Sequence, residues 1–286
     1  MDLRKEEVEE ILSLGSEAKQ VQGEKLSGEA ILLFLEPSTR TRLSFEKACK
    51  RLGLEVYSVI GESSSIVKGE SLYDTFKTIE ALGFRCVIFR FPFVFFPYRQ
   101  IVDKVRIAFI NAGDGTHQHP TQGLIDLFTL KEKLGDIKNL RVLYVGDILH
   151  SRVFRSGAPL LKMFGAKVSV CGPKSLIPED INVFEVEQVF FDLDKALDWA
   201  DTVIWLRLQK ERQEERFIYE RSYFRRFGLT AQRYNKLKGF FMHPGPVNRE
   251  VDIEGDLVYS EKSLVQEQVK NGIYIRTAVL KWCLES

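Results

Sequence analysis

Residues 30–42 read Ala30-Ile31-Leu32-Leu33-Phe34-Leu35-Glu36-Pro37-Ser38-Thr39-Arg40-Thr41-Arg42. The first six form a short, continuous apolar run, the pattern of a strand buried on both faces. Phe45, Ala48, Cys49 and Leu52 follow at i, i+3, i+4 and i+7, which marks a helix with one apolar face. Pro37 ends the strand, and Ser38 and Thr39 are residue types that start helices. The unit is strand, turn, helix, and the turn carries two arginines and three hydroxyls. A helix N-terminus offers unbonded N–H groups and the positive end of a dipole, so it receives anions. Arginine keeps its charge and grips oxyanions through a planar fork. Local pattern alone leaves two readings open, a phosphate trap or an ordinary capped helix with solvated arginines.

The rest of the chain repeats the alternation. Apolar strand patterns lie at 30–35, 55–60, 86–89, 107–110, 141–145, 167–171, 183–190, 202–206 and 240–242, with helical patterns between most of them. This is the signature of α/β architecture, two doubly wound parallel-sheet domains. The 286 residues suit two domains at about 150 residues each. The helical stretch 120–134 ends in Gly135-Asp136 and a new βα series follows. The expected domains are therefore 1–134 and 135–270.

Composition narrows the function. Lys and Arg total 41 against 40 Asp and Glu, a net charge of +1, which speaks against nucleic acid or an anionic membrane as partner. Any anion site is local. Cys49, Cys86, Cys171 and Cys283 are scattered with no CxxC pair, as in a cytoplasmic protein with reduced thiols. The acidic N-terminal stretch is not a signal peptide. The aromatic stretch 84–98 is broken by Arg85, Arg90, Pro92 and Pro97 and cannot span a bilayer. Gly146-Asp147 follows a strand, but no G-x-G-x-x-G is present, which disfavours a dinucleotide oxidoreductase. His117, His119, His150 and His243 have no supporting ligand cluster, so neither metal nor cofactor is expected.

Polar clusters stand where strands end: Arg90 after 86–89, Asn111 to Gln122 after 107–110, Asp147 and Arg152 after 141–145, Arg207 and Gln209 after 202–206, and His243-Pro244-Gly245-Pro246 after 240–242. Open α/β sheets bind ligands outside the carboxyl ends of their strands. Each cluster alone has a plain structural explanation; together they describe one site rich in arginine and hence an anionic ligand.

Ser38-Thr39-Arg40-Thr41-Arg42, His119-Pro120-Thr121-Gln122 and His243-Pro244-Gly245-Pro246 together resemble the carbamoyltransferases, in family order, from about Ile31 to Leu280. The ornithine branch carries His-Cys-Leu-Pro late in the chain; the motif here, with Arg207-Leu208-Gln209, resembles the aspartate branch. The resemblance implies a site in the cleft between a carbamoyl-phosphate domain and an L-aspartate domain, with helix 271–286 packing back on the first. It implies a cytoplasmic homotrimer in which Ser64 and Lys68 enter the neighbouring subunit's site. It assigns Ser38, Thr39, Arg40 and Thr41 to the phosphate, with Ser64 assisting. His119, Arg90 and Thr41 would polarise the carbamoyl oxygen. Gln122, Pro244 and Gly245 would hold the carbamoyl end, and Arg152, Arg207, Gln209 and Lys68 would take the aspartate carboxylates. The expected reaction is carbamoyl transfer to the aspartate amine in pyrimidine biosynthesis. Some relatives assemble further, with dihydroorotase or a regulatory chain. The sequence departs from the family at Phe91-Pro92-Phe93-Val94-Phe95-Phe96-Pro97-Tyr98, an aromatic patch that reads as core or as interface.

Overall fold

The computed structural model describes residues 3–21, 25–61, 69–95, 97–209 and 219–285. The chain divides into two compact units, Met1–Leu124 with Lys270–Ser286, and Ile125–Val269. The first division falls inside the helix Pro120–Leu134.

Unit 1 holds strands β1 (Glu29–Phe34), β2 (Glu55–Ile60), β3 (Cys86–Phe91) and β4 (Ala108–Asp114) in the order β2-β1-β3-β4, all parallel. Its helices are α1 (Lys5–Gln20), α2 (Thr39–Arg51), α3 (Leu72–Ala81) and the short α4 (Arg99–Val102). The start of α5 (Pro120–Leu134) and the end of α10 (Val265–Glu285) also belong to it. The β1 residues Ala30 to Phe34 are buried, as a central parallel strand covered on both faces requires. On one face Ile31, Leu33, Val87, Phe89 and Phe91 pack with Phe76 of α3 and with Phe95. Residues of α10 are tied down by side chains. Arg276 donates from Nη1 to Ser44 Oγ of α2 at 2.5 Å, and Trp282 donates from Nε1 to Glu10 of α1 at 3.0 Å. The helix begins at Val265, earlier than the family resemblance placed it.

Unit 2 holds β5 (Arg141–Val145), β6 (Lys167–Cys171), β7 (Val189–Phe190), β8 (Thr202–Trp205) and β9 (Phe241–Met242) in the order β7-β6-β5-β8-β9, again all parallel. Helices α6 (Arg152–Met163), α7 (Leu193–Trp199), α8 (Glu220–Phe227) and α9 (Ala231–Lys236) accompany them. Leu143, Val145, Trp205 and Phe241 anchor the core with Leu197, Tyr223 and Phe227. The expected strand at 183–190 shrinks to two residues. Ile181–Phe184 turns as a 3-10 helix and Glu185 adopts left-handed backbone, so only Val189 and Phe190 pair.

In unit 1 the chain steps from β1 outward to β2, then returns to the other side for β3 and β4. The winding reverses between β1 and β3. In unit 2 it runs β5, β6, β7 in one direction and resumes at β8 and β9 in the other, reversing between β5 and β8. At such switch points the crossover helices leave in opposite directions, and a crevice opens at the carboxyl ends of the two strands.

Candidate active site

The unit 1 switch point is flanked by Ser38–Thr41 on one side and Arg90 on the other. Ser38 occupies the N-cap position of α2, but its side chain makes no capping hydrogen bond. The helix ladder starts with Arg42 N–H donating to Ser38 O at 3.1 Å, so the N–H groups before it point out of the helix end. Thr41 is buried at 6% exposure, whereas Thr39 and Arg40 are exposed. Although Arg40 as a whole residue is exposed, its guanidinium is partly covered by neighbouring atoms, and that desolvation lowers it from its ordinary value while leaving it charged.

Arg90 lies within β3, which runs to Phe91, and not beyond its end as the sequence pattern suggested. Phe91 pairs with Asp114 across a register shift, which prolongs both strands. Arg90 is 7% exposed. It donates from Nη1 to Ala112 O at 2.9 Å and from Nη2 to Glu36 Oε1 at 3.0 Å. One guanidinium thus joins the ends of β1, β3 and β4. The turn after β4 is organised by Asp114, 1% exposed, which accepts from Asn111 Nδ2 and from the N–H groups of Phe95 and Gln118. That turn delivers His119 and Gln122, both buried, at the start of α5.

The unit 2 switch point brings together Arg152, Arg207 and Gln209. Ser151 caps α6 by accepting from Phe154 N–H, and Arg152 is the first helical residue, 8% exposed. Gln209 donates its backbone N–H to Asp147 at 3.2 Å and its side-chain Nε2 to His150 O at 2.9 Å. Pro244 and Gly245 follow neighbouring β9. Gly245 has φ +69°, and its N–H donates to His243 Nδ1 at 2.8 Å. Gly146 sits at φ +121°, where a Cβ would come within 2.8 Å of Leu206 O, so the ends of β5 and β8 close up only around glycine.

Of the expected residues, Ser38, Thr39, Arg40, Thr41, Arg90, His119 and Gln122 gather at the carboxyl end of the unit 1 sheet. Arg152, Arg207, Gln209, Pro244 and Gly245 gather at that of unit 2. Ser64 and Lys68 lie outside the described residues. Among the described residues no three His, Cys, Asp or Glu side chains come together as a metal cluster. The sequence reading gave no role to Glu36, Asp114 or Asp252, which accept hydrogen bonds from Arg90, from Gln118 N–H and from Leu208 N–H. The aromatic segment divides. Phe91 and Phe95 are buried, while Phe93 stacks on Phe91 and stays 41% exposed, beside Val94 at 45%.

Two family models match end to end. Residues 1–132 match the carbamoyl-phosphate binding domain of aspartate/ornithine carbamoyltransferase, and residues 138–283 match its aspartate/ornithine binding domain. The chain belongs to the aspartate/ornithine carbamoyltransferase family. It is 64% identical over 283 residues to the aspartate carbamoyltransferase catalytic subunit of Aquifex aeolicus (strain VF5), covering 99% of this chain and 97% of that one. Among solved structures, the catalytic subunit of M. jannaschii aspartate transcarbamoylase superposes with TM-score 0.85 at 32% identity, over 99% and 96% of the two chains. Aspartate transcarbamoylase from Trypanosoma cruzi, in complex with carbamoyl phosphate and aspartate, gives 0.82 at 26%, over 96% and 91%. Ornithine carbamoyltransferase from Pyrococcus furiosus gives 0.85 at 26%, over 100% and 95%. The fold is therefore shared by both branches of the family, and the branch is decided by sequence.

Proposed function

We propose that this chain transfers the carbamoyl group of carbamoyl phosphate to the amine of L-aspartate, giving N-carbamoyl-L-aspartate and phosphate, the reaction of its aspartate carbamoyltransferase relatives. The observation that carries this reading is the pair of switch points, each lined with arginine. Unit 1 offers a helix N-terminus with Arg40, suited to a phosphate. Unit 2 offers Arg152 and Arg207, suited to two carboxylates. A basic substrate such as ornithine has no use for a second arginine.

The substrate amine attacks the carbamoyl carbon as the C–O bond to phosphate breaks, so no protein nucleophile is required. The protein supplies orientation and stabilises charge. In this reading Ser38, Thr39, Arg40 and Thr41 hold the phosphate, and Arg40 meets the charge that grows on it. His119, Arg90 and Thr41 polarise the carbamoyl oxygen, with Arg90 held in place by Glu36. Gln122, Pro244 and Gly245 take the carbamoyl amine end, and Arg152, Arg207 and Gln209 take aspartate. Ser64 and Lys68, from a neighbouring subunit of a homotrimer, complete the site. The edge strand β2 supports that assembly. Tyr57 and Ile60 stand exposed on it, directly before the segment that carries Ser64 and Lys68. A larger assembly with dihydroorotase or a regulatory chain would use the exposed Phe93 and Val94. Beside that segment lies an apolar cavity of about 700 Å³, lined by Phe95, Tyr98, Phe109 and Trp282 among others. The four free thiols suit a cytoplasmic protein. Light scattering of the purified chain tests the trimer: a monomer mass that persists at high protein concentration would remove the shared-residue part of the reading.

A further inference from the structure

Two carboxylates lie buried beneath the unit 2 half-site, and the reaction uses neither directly. Asp252 is 1% exposed and Asp147 is fully buried. Among the described residues neither meets a lysine or arginine; each meets only N–H donors. Asp252 accepts from Leu208 N at 3.3 Å, Asn248 N at 2.9 Å and His243 Nε2 at 3.3 Å. Asp147 accepts from Gln209 N at 3.2 Å, His150 N at 3.2 Å and His150 Nδ1 at 2.8 Å. Leu208 and Gln209 are consecutive. The segment that carries Arg207 and Gln209 is thus held by two carboxyl groups through two successive backbone amides.

The same carboxylates reach the other loops of the half-site. Asp147 lies on the turn between β5 and Arg152. Asp252 reaches the loop after β9 through His243, whose Nδ1 accepts from Gly245 N–H, so that Nε2 carries the hydrogen aimed at Asp252. His243 N–H in turn donates to Gln268 Oε1, and Gln268 Nε2 donates to Asp126. Burying a carboxylate costs several kcal/mol unless its acceptors are filled, and a neutral acceptor could satisfy one amide at less cost. An ionised carboxylate can receive three converging donors; an amide side chain cannot.

We propose that Asp252 and Asp147 are positioning residues for the second substrate: together they fix Arg207 and Gln209 relative to Arg152 and to the Pro244–Gly245 turn. The proposal rests on the reading that these residues bind aspartate.

Asp252→Asn and Asp147→Asn test it. In either variant, whichever way the new amide is turned, its NH2 group meets an N–H that now has no acceptor. The expected result is a KM for aspartate raised at least tenfold, with the KM for carbamoyl phosphate within threefold of wild type and the thermal unfolding transition still cooperative. A folded Asp252→Asn with an unchanged aspartate KM, or with both KM values raised alike, overturns the proposal. Should the aspartate variants fail to fold, His243 separates the contacts. His243→Gln keeps a donor near the Nε2 position toward Asp252, whereas His243→Asn keeps only the acceptor for Gly245. The aspartate KM rises more in His243→Asn; an equal or reversed order overturns the proposal. A wild-type chain silent with aspartate refutes the function beneath the inference and the inference with it, whereas an active wild type with unaltered variants refutes the inference alone.

Discussion

Replacing Arg40 by alanine separates catalysis from folding more cleanly than any other change in the STRTR motif. The Arg40 side chain is exposed and makes no hydrogen bond or ion pair with a described residue. Its removal leaves no buried group unpaired, and alanine suits a helix, so unfolding free energy should move by less than about 0.5 kcal/mol. Turnover should fall far more. An aimed donor that stabilises charge in the transition state is worth about 2.7–4 kcal/mol, a factor of 10² to 10³ in kcat. Arg42 is the internal control. Two positions further along α2 it points some 200° away, and it pairs with Glu46 of its own helix at 3.6 Å. Arg42→Ala should cost less than about threefold in kcat, a surface-pair effect under 1 kcal/mol. The assay is carbamoyl-aspartate formation at saturating substrates, alongside urea unfolding of each variant. Near-normal kcat in Arg40→Ala refutes the phosphate assignment. So does a kcat loss that merely tracks a loss of stability.

Gly146→Ala should lower stability by at least about 2 kcal/mol, since its Cβ would press on Leu206 O and on the Tyr223 hydroxyl at a φ that only glycine tolerates; chemical denaturation measures this, and aspartate KM should rise with it. Asp201→Asn tests a pH-dependent contact. Arg141 donates to Asp201 from its backbone N–H and its guanidinium, and these hydrogen bonds hold the Asp201 carboxyl below its ordinary value. A group depressed in the folded state adds stability above its unfolded pKa and loses it as pH falls through the folded one. The pair is one-third exposed, so the variant should lose under about 1 kcal/mol at pH 7. In stability curves against pH that gap closes in acid. Burial pushes the Cys86 and Cys171 thiols up to about 12 and Cys283 up to about 11, and raises Cys49 as well. A thiol-specific reagent at pH 8 should therefore label the native chain slowly and all four cysteines rapidly in denaturant.

The strands were legible where an apolar run had polar or glycine borders. Residues 55–60, 141–145 and 167–171 are β2, β5 and β6. The run 183–190 misled because its apolar residues do different things: Val183 is 75% exposed on the 3-10 turn, while Val189 and Phe190 pair with β6. The strand-end clusters were legible because chemistry and topology coincide there. Their supports were not. Asp252 reaches Leu208 across 44 positions and Asp147 reaches Gln209 across 62, separations that no local pattern encodes. Glu36 is quoted within the first motif, yet its partner Arg90 lies 54 positions away, and only the adjacency of β1 and β3 brings them together. Ser38 stands at the N-cap position its residue type announces, but its side chain does not cap.

Product formation from carbamoyl phosphate with L-aspartate or L-ornithine, each supplied to the purified chain, decides which amine this site carbamoylates. The expected result is carbamoyl-aspartate and phosphate with aspartate and no turnover with ornithine. Turnover with ornithine, or silence with aspartate, would contradict it.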